Sequence, residues 1–305
     1  MQGGQCISLF DFASHCIILY YHTSDFNVDL IIADIKEALE RERIAEHSIG
    51  WSVIFRPSPA IRRMLFLGLL VPVAQQAAGI DAIQYYLLDI MRIVGISSKA
   101  ERHIFLIGIG LVKLSAIVFS SQLLDRLGRR FVILLSLAGL IASLLMISMA
   151  LAVEPSNSTS TVVLVGLTTY MGFYGLGLGP VAWLLPSEIF ASCIRAKGVS
   201  IATFLNRAVA TLMATSFLSI QNTISWPIFF LVLATICSVT LLLLYLYLPE
   251  TKGRSLEDMS LFFAEETDDF SILNAERQLR VLSERRKRLG DDKDSMKRAD
   301  MEVSQ

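Results

Sequence analysis

Six long apolar runs, at 64–90, 103–124, 131–152, 162–186, 199–222 and 226–248, dominate this chain of 305 residues. A helix rising 1.5 Å per residue needs roughly 20 residues to cross a hydrocarbon core about 30 Å thick, and each run meets that length. A spanning segment must also satisfy its own backbone hydrogen bonds in lipid, which a helix does, and these runs are too long and too uniformly apolar for barrel strands. The runs predict an all-α membrane protein of about six transmembrane helices. Composition agrees, with 53% hydrophobic and 18% charged residues against about 25% charged in ordinary soluble domains. The net charge of −1 conceals segregation: residues 29–63 and 250–305 are rich in both signs and the middle is nearly neutral. Neither a nucleic acid nor another strongly charged partner is implied.

The turns between runs alternate in charge. One side carries Arg56, Arg62, Arg63, Arg126, Arg129, Arg130, Arg195, Lys197, Lys252 and Arg254, and the other only Lys99 and Arg102. Basic turns stay on the cytoplasmic side, so both termini are expected there, with the protein multi-pass in the plasma membrane or an organelle membrane. The opposite turns include Asn157-Ser158-Thr159, a glycosylation acceptor on the side where one can be used. Cys6, Cys16, Cys193 and Cys237 lie far apart with no CxxC and no neighbouring His, so they are read as unpaired and as forming no metal site. His15, His22, His47 and His103 are scattered, and no nucleophile–base pair or phosphate loop accompanies them. An enzyme is not expected, and neither is a cofactor.

Four regions follow. Residues 1–28 are an atypical N-terminal segment, apolar but interrupted by Asp11 and His15 and without the basic start or cleavage site of a signal peptide. Residues 29–61 form a cytoplasmic linker containing an amphipathic helix, with Leu30, Ile31, Ile35, Ala38 and Leu39 apolar and Glu37 placed to pair with Arg41. Residues 62–250 hold the membrane helices. Residues 251–305 are a charged cytoplasmic tail that includes ERRKR at 284–288, read as unstructured beyond Met259.

Polar groups at mid-depth have no place in a plain anchor, because an unpaired one is costly in hydrocarbon. The first run holds Pro72, Gln75, Gln76, Gly79, Asp81, Tyr85 and Tyr86. Gln76 and Asp81 come near one helix face if the backbone unwinds at Gly79, giving amide donors beside a carboxylate acceptor. Three such groups within seven residues exceed what helix packing requires. Lys113 lies twelve residues before Asp125, about 18 Å from the cytoplasmic end and too deep to snorkel easily. It either pairs with a carboxylate or lines a cavity. The fourth run carries Gly172, Gly175, Gly177 and Gly179 with Pro180 and Pro186, as a broken or bendable helix would. Those glycines serve equally well as packing sites. Trp183, just beyond, is either a site residue or an interfacial anchor. The fifth run contains Asn206 and Arg207, and Arg207, able to snorkel, is left out of the ligand set.

Five ordered motifs carry a resemblance. QQAAGIDAIQYY at 75–86, DRLGRR at 125–130, GLGPVAWLLPSEIF at 177–190, RAKG at 195–198 and PETKGRSLEDM at 249–259 resemble the C-terminal half of the sugar porter family of the major facilitator superfamily. The match covers about residues 29–259. Asp81, Lys113 and the IADIKEA stretch at 32–38 are most similar to plant polyol and monosaccharide transporters. The resemblance implies a six-helix half of a pseudo-symmetric carrier that moves a sugar or polyol, with protons as the expected co-substrate. It implies substrate contacts at Gln75, Gln76, Asp81, Lys113, Trp183 and Asn206, and an extracellular gate at Tyr85 and Tyr86. Sugars suit such a site, since amides and carboxylates bond hydroxyls in both directions and an indole covers the apolar ring face. It further implies a cytoplasmic charge network of Asp125, Arg126, Arg129, Arg130, Glu188, Arg195 and Glu250. Arg129 and Arg130 would pair with Glu188, and Arg126 or Arg195 with Glu250 or Asp125.

Two departures from the family pattern stand out. Gly175 occupies a position where hexose carriers hold a carboxylate, and Ala191 and Cys193 replace the expected Pro and Arg after SEIF. The first six helices of the family are not in this sequence, so a carrier would need a missing N-terminal half. The alternative function is a non-transporting half-length membrane protein that associates with, or regulates, a full-length carrier.

Overall fold

The computed structural model describes residues 51–274 apart from 94, 96, 97, 154–156, 224, 255 and 272, together with the isolated residues 277 and 281. The amphipathic linker helix, the first 28 residues and the ERRKR tail lie outside the described residues. Residues Trp51–Asn274 form one compact unit. Every regular element among the described residues is helical. After a single turn at Ser52–Phe55 come α1 (Pro59–Ala77), α2 (Ile80–Tyr85), α3 (Leu87–Ile93), α4 (Lys99–Leu127), α5 (Arg129–Ala152) and α6 (Asn157–Phe173). A π-helical segment at Tyr174–Leu178 joins α6 to α7 (Gly179–Ile189), and α8 (Arg195–Thr223), α9 (Trp226–Tyr247) and α10 (Leu256–Thr267) follow.

Among the described residues, five helical stretches are long and apolar enough to cross a membrane: Pro59–Tyr85, Lys99–Leu127, Arg129–Ala152, Thr159–Ile189 and Trp226–Tyr247. The expected span at 199–222 falls within α8, which has the length but is more polar. Its Thr203, Thr211 and Thr215 hydroxyls donate to the carbonyls of Val199, Arg207 and Thr211, one turn back, so that polarity is largely satisfied inside the helix.

The first span is interrupted rather than straight. Gly79 takes φ 84°, a left-handed conformation open to glycine, and separates α1 from α2. The freed carbonyl of Ala78 accepts the Tyr170 hydroxyl of α6 at 2.9 Å, which removes the penalty of breaking a helix at membrane depth. The fourth span bends without breaking. Its extra residue is absorbed in the π-turn, and Ser136 of α5 stitches that turn from outside. The Ser136 hydroxyl donates to the Phe173 carbonyl at 2.6 Å and accepts the Leu178 N–H at 3.0 Å. The glycine run reads here as packing: a Cβ on Gly175 would stand 2.9 Å from the Lys113 carbonyl and 3.1 Å from the Ala116 Cβ, so α4 approaches the π-turn at backbone distance. No carboxylate fits at Gly175 in this arrangement.

α5 packs between α6 and α9, while α1 packs against α7 and α8. Met64, Leu67, Ile83, Tyr170, Phe190 and Phe230 are fully buried between them. α4 stands at the edge, with 17% of its apolar window buried against 67% for the first span. Its Ile104, Phe105, Ile107, Leu111, Leu114, Val118 and Phe119 face outward.

One expectation is overturned at the C-terminal end. The chain beyond Met259 continues as helix α10, because Met259, Phe263 and Ala264 recur at helical spacing and bury one face. Arg63 pairs with Glu266 at 2.6 Å, and Asp269 accepts the Ala60 N–H at 3.3 Å, so the end of the unit closes on the start of α1.

Candidate functional site

At the junction of α1, α7 and α8 lies a buried network of three amides. Asn206 is fully buried on α8. Its Nδ2 donates to the Pro72 carbonyl and to Gln75 Oε1, both at 2.8 Å, and its Oδ1 accepts Gln76 Nε2 at 3.4 Å. Gln75 Nε2 donates onward to the Gly179 carbonyl at 3.0 Å, just past the π-turn. Gln75 and Gln76 are 3% and 4% exposed, and Gln76 Oε1 is left without a partner. A buried unpaired acceptor of this kind is a feature to be explained by what it would bond.

Ionisable groups gather beside the network. Lys113 of α4 donates to Gln84 Oε1 at 3.0 Å and lies 5.5 Å from the centre of the Tyr174 ring. Asp81 of α2 is within electrostatic reach of Lys113 and of the Tyr174 hydroxyl. Trp183 of α7 is exposed, and the guanidinium of Arg207 sits 5.9 Å from its ring centre. Six residues expected in a substrate site, Gln75, Gln76, Asp81, Lys113, Trp183 and Asn206, are therefore carried on α1, α2, α4, α7 and α8 around the π-turn. Tyr85 is exposed at the end of α2, and Tyr86, half-buried, forms the joint to α3.

Gln84 and Tyr174 lie beside Lys113 without having been expected there, and Arg207, weighed from the sequence and left out of the ligand set, lies against Trp183. Gln84 was visible inside QQAAGIDAIQYY, and Arg207 adjoins Asn206, but nothing in Tyr174 distinguishes it from an ordinary core aromatic until α4 is placed against it.

The charge network expected around the basic turns pairs differently from expectation. Arg129 Nε pairs with Glu188 at 3.1 Å, and the Thr251 hydroxyl donates to the other Glu188 oxygen at 2.6 Å. Arg130 does not reach Glu188: its Nη2 donates to the Tyr245 carbonyl at 2.8 Å. Glu250 pairs with neither Arg126 nor Arg195. Its carboxylate accepts the backbone N–H groups of Arg129 at 3.0 Å, Arg130 at 3.2 Å and Lys252 at 3.0 Å. The reason is local: α5 starts at Arg129 with bare N–H donors and a positive dipole end, which a carboxylate satisfies better than it satisfies a solvated side chain. Arg195 donates to Ser192 at 3.3 Å, the Arg126 carbonyl accepts Lys252 Nζ at 2.7 Å, and Asp125 is exposed.

Helices of membrane-spanning length and composition, carrying a polar and partly charged cluster, define a multi-pass membrane protein. The chain belongs to the sugar (and other) transporter family, whose model matches residues 20–263. Among curated relatives, Probable polyol transporter 6 of Arabidopsis thaliana is 31% identical over 77% of this chain and 49% of its own length. D-xylose-proton symporter-like 1 of the same organism is 30% identical over 75% of this chain and 46% of its own. The chain thus spans about half the length of the relatives it matches. The fold is that of the major facilitator superfamily: the proton:xylose symporter XylE bound to 6-bromo-6-deoxy-D-glucose superposes with a TM-score of 0.61 at 21% identity, over 77% of this chain and 48% of that one. The inward-open xylose transporter XylE from E. coli gives 0.56 at 22% identity, over 65% and 42%.

Proposed function

We propose that this chain forms the C-terminal half of a sugar or polyol carrier and supplies part of the substrate site, with protons as the coupling ion. The observation that carries the proposal is the amide network with its orphan acceptor. Asn206, itself bonded to Gln75, fixes Gln76, and Gln76 Oε1, buried and unpartnered, is left to accept a hydroxyl. Asp81 adds a carboxylate acceptor, the Lys113 ammonium adds donors, and the exposed Trp183 indole offers an apolar face to a sugar ring. The Arg-rich turns lie in the cytoplasm and Tyr85 and Tyr86 at the opposite mouth. A six-helix N-terminal half, such as the relatives' additional length provides, is the proposed partner, because alternating access needs two halves rocking around a midplane site.

The test joins the chain to the first six helices of a polyol transporter relative and expresses it in a cell devoid of sugar uptake. Saturable uptake of labelled xylose, inositol or sorbitol is expected, and Gln76→Ala should abolish it without loss of membrane insertion. A correctly inserted chimera without uptake, or Gln76→Ala with unchanged KM and rate, would overturn the proposal.

A further inference from the structure

Among the described residues of the six apolar runs, three ionisable side chains stand at mid-depth, each from a different span: Asp81, Lys113 and Arg207. Two of them meet an aromatic ring: Lys113 lies 5.5 Å from the Tyr174 ring centre and Arg207 5.9 Å from that of Trp183. Lys113 lies twelve residues before Asp125 and Arg207 twelve residues after Arg195, so each is about 18 Å along its helix from the cytoplasmic end. The Arg207 guanidinium lies over the Trp183 ring, 5.9 Å from its centre. Both members of that pair are exposed on the same face, and stacking on an indole is an arrangement that the planar guanidinium favours over an ammonium.

We infer that Arg207 is a positioning and specificity-determining residue of the substrate site: its guanidinium, held over one face of the Trp183 indole, steadies that ring and leaves the opposite face to the apolar side of a ring-shaped polyhydroxy ligand. The ring has two faces, and a cation on one strengthens the preorganisation of the other. Asp81 offsets the added cation, which keeps the cluster tolerable at this depth. A linear polyol offers no flat apolar face, so its binding depends on the amides and much less on the indole. Arg207 thereby sets the preference for rings over chains. The inference rests on the carrier reading above.

The test uses the chain in lipid nanodiscs with tryptophan fluorescence as the readout. Without any sugar, Arg207→Met should raise acrylamide quenching of the Trp183 signal at least twofold and Arg207→Lys less, with no such change in a Trp183→Phe background and unchanged helical circular dichroism. With ligand, in the chimera carrying the first six helices of a polyol transporter relative, Arg207→Met should weaken binding of xylose and inositol about tenfold and of sorbitol less than threefold, with partial recovery in Arg207→Lys. Equal quenching in Arg207→Met and the unsubstituted chain overturns the inference whether or not sugar binds. Equal loss for rings and chains overturns it as well. An unsubstituted chimera that binds no sugar or polyol overturns the carrier reading, whereas a chimera that binds them with equal quenching in Arg207→Met overturns this inference alone.

Discussion

At the scale of single residues, Asn206 is the side chain on which the site depends. It holds the only amide positioned to bond Pro72, Gln75 and Gln76 together. Its removal strands two buried acceptors, at about 1–3 kcal/mol each. Asn206→Ala should therefore lower the unfolding temperature of the purified protein by several degrees. Asn206→Asp should be worse, because a carboxylate has no N–H to donate and would face Gln75 Oε1 and the Pro72 carbonyl with charge. A Tm for Asn206→Asp equal to that of the unsubstituted chain would show the network to be wrongly drawn. The Arg129–Glu188 pair carries less weight: both side chains are about one-fifth exposed, and such a pair contributes about 1 kcal/mol at most.

At the scale of elements, the π-turn at Tyr174–Leu178 shows what a sequence does and does not disclose. Gly175, Gly177, Gly179 and Pro180 announce a disturbed helix, and a π-turn is one such disturbance. Gly79 announces the break in the first span in the same way. Ser136 announces nothing, since a serine in an apolar run is unremarkable and its role depends on which helix it faces. Periodicity shows which side of a helix is apolar; it does not identify the neighbour, so the Ser136 stitch, the Tyr170 bond to Ala78 and the Glu250 cap were not legible. The charge pairing failed for the same reason, because opposite signs in adjacent turns do not reveal that a backbone will take the carboxylate. Ser136→Ala unpairs the Phe173 carbonyl and the Leu178 N–H and should cost about 2 kcal/mol or more. Gly175→Ala should cost about 1–3 kcal/mol by forcing α4 off the π-turn. Thermal unfolding of the two variants checks both, and a Gly175→Ala protein as stable as the parent would mean that the close approach of α4 is not required.

At the scale of the whole molecule, orientation is the property that organises the rest. The positive-inside pattern of the basic turns predicts Lys252 in the cytoplasm and Lys99 on the opposite side. In a background with Cys6→Ser and Cys16→Ser, an impermeant maleimide applied to intact cells should label Lys99→Cys at once and Lys252→Cys only after permeabilisation, Cys193 and Cys237 being buried. The reverse pattern would invert every statement about which mouth the tyrosines guard. The five stretches long enough to span were evident from hydropathy alone. α8, the sixth helix, was evident from its length and motifs, although its polarity sets it apart.

The Glu250 cap has a consequence in time. Its carboxylate closes the first turn of α5 from a position 121 residues further along the chain. At a synthesis rate of 5–20 residues per second, the helix begun at Arg129 waits about 6–24 s for the group that completes its start. Until then the DRLGRR turn is an open end, and the half-bundle acquires its final edge at the basic turns only when the last span has been made.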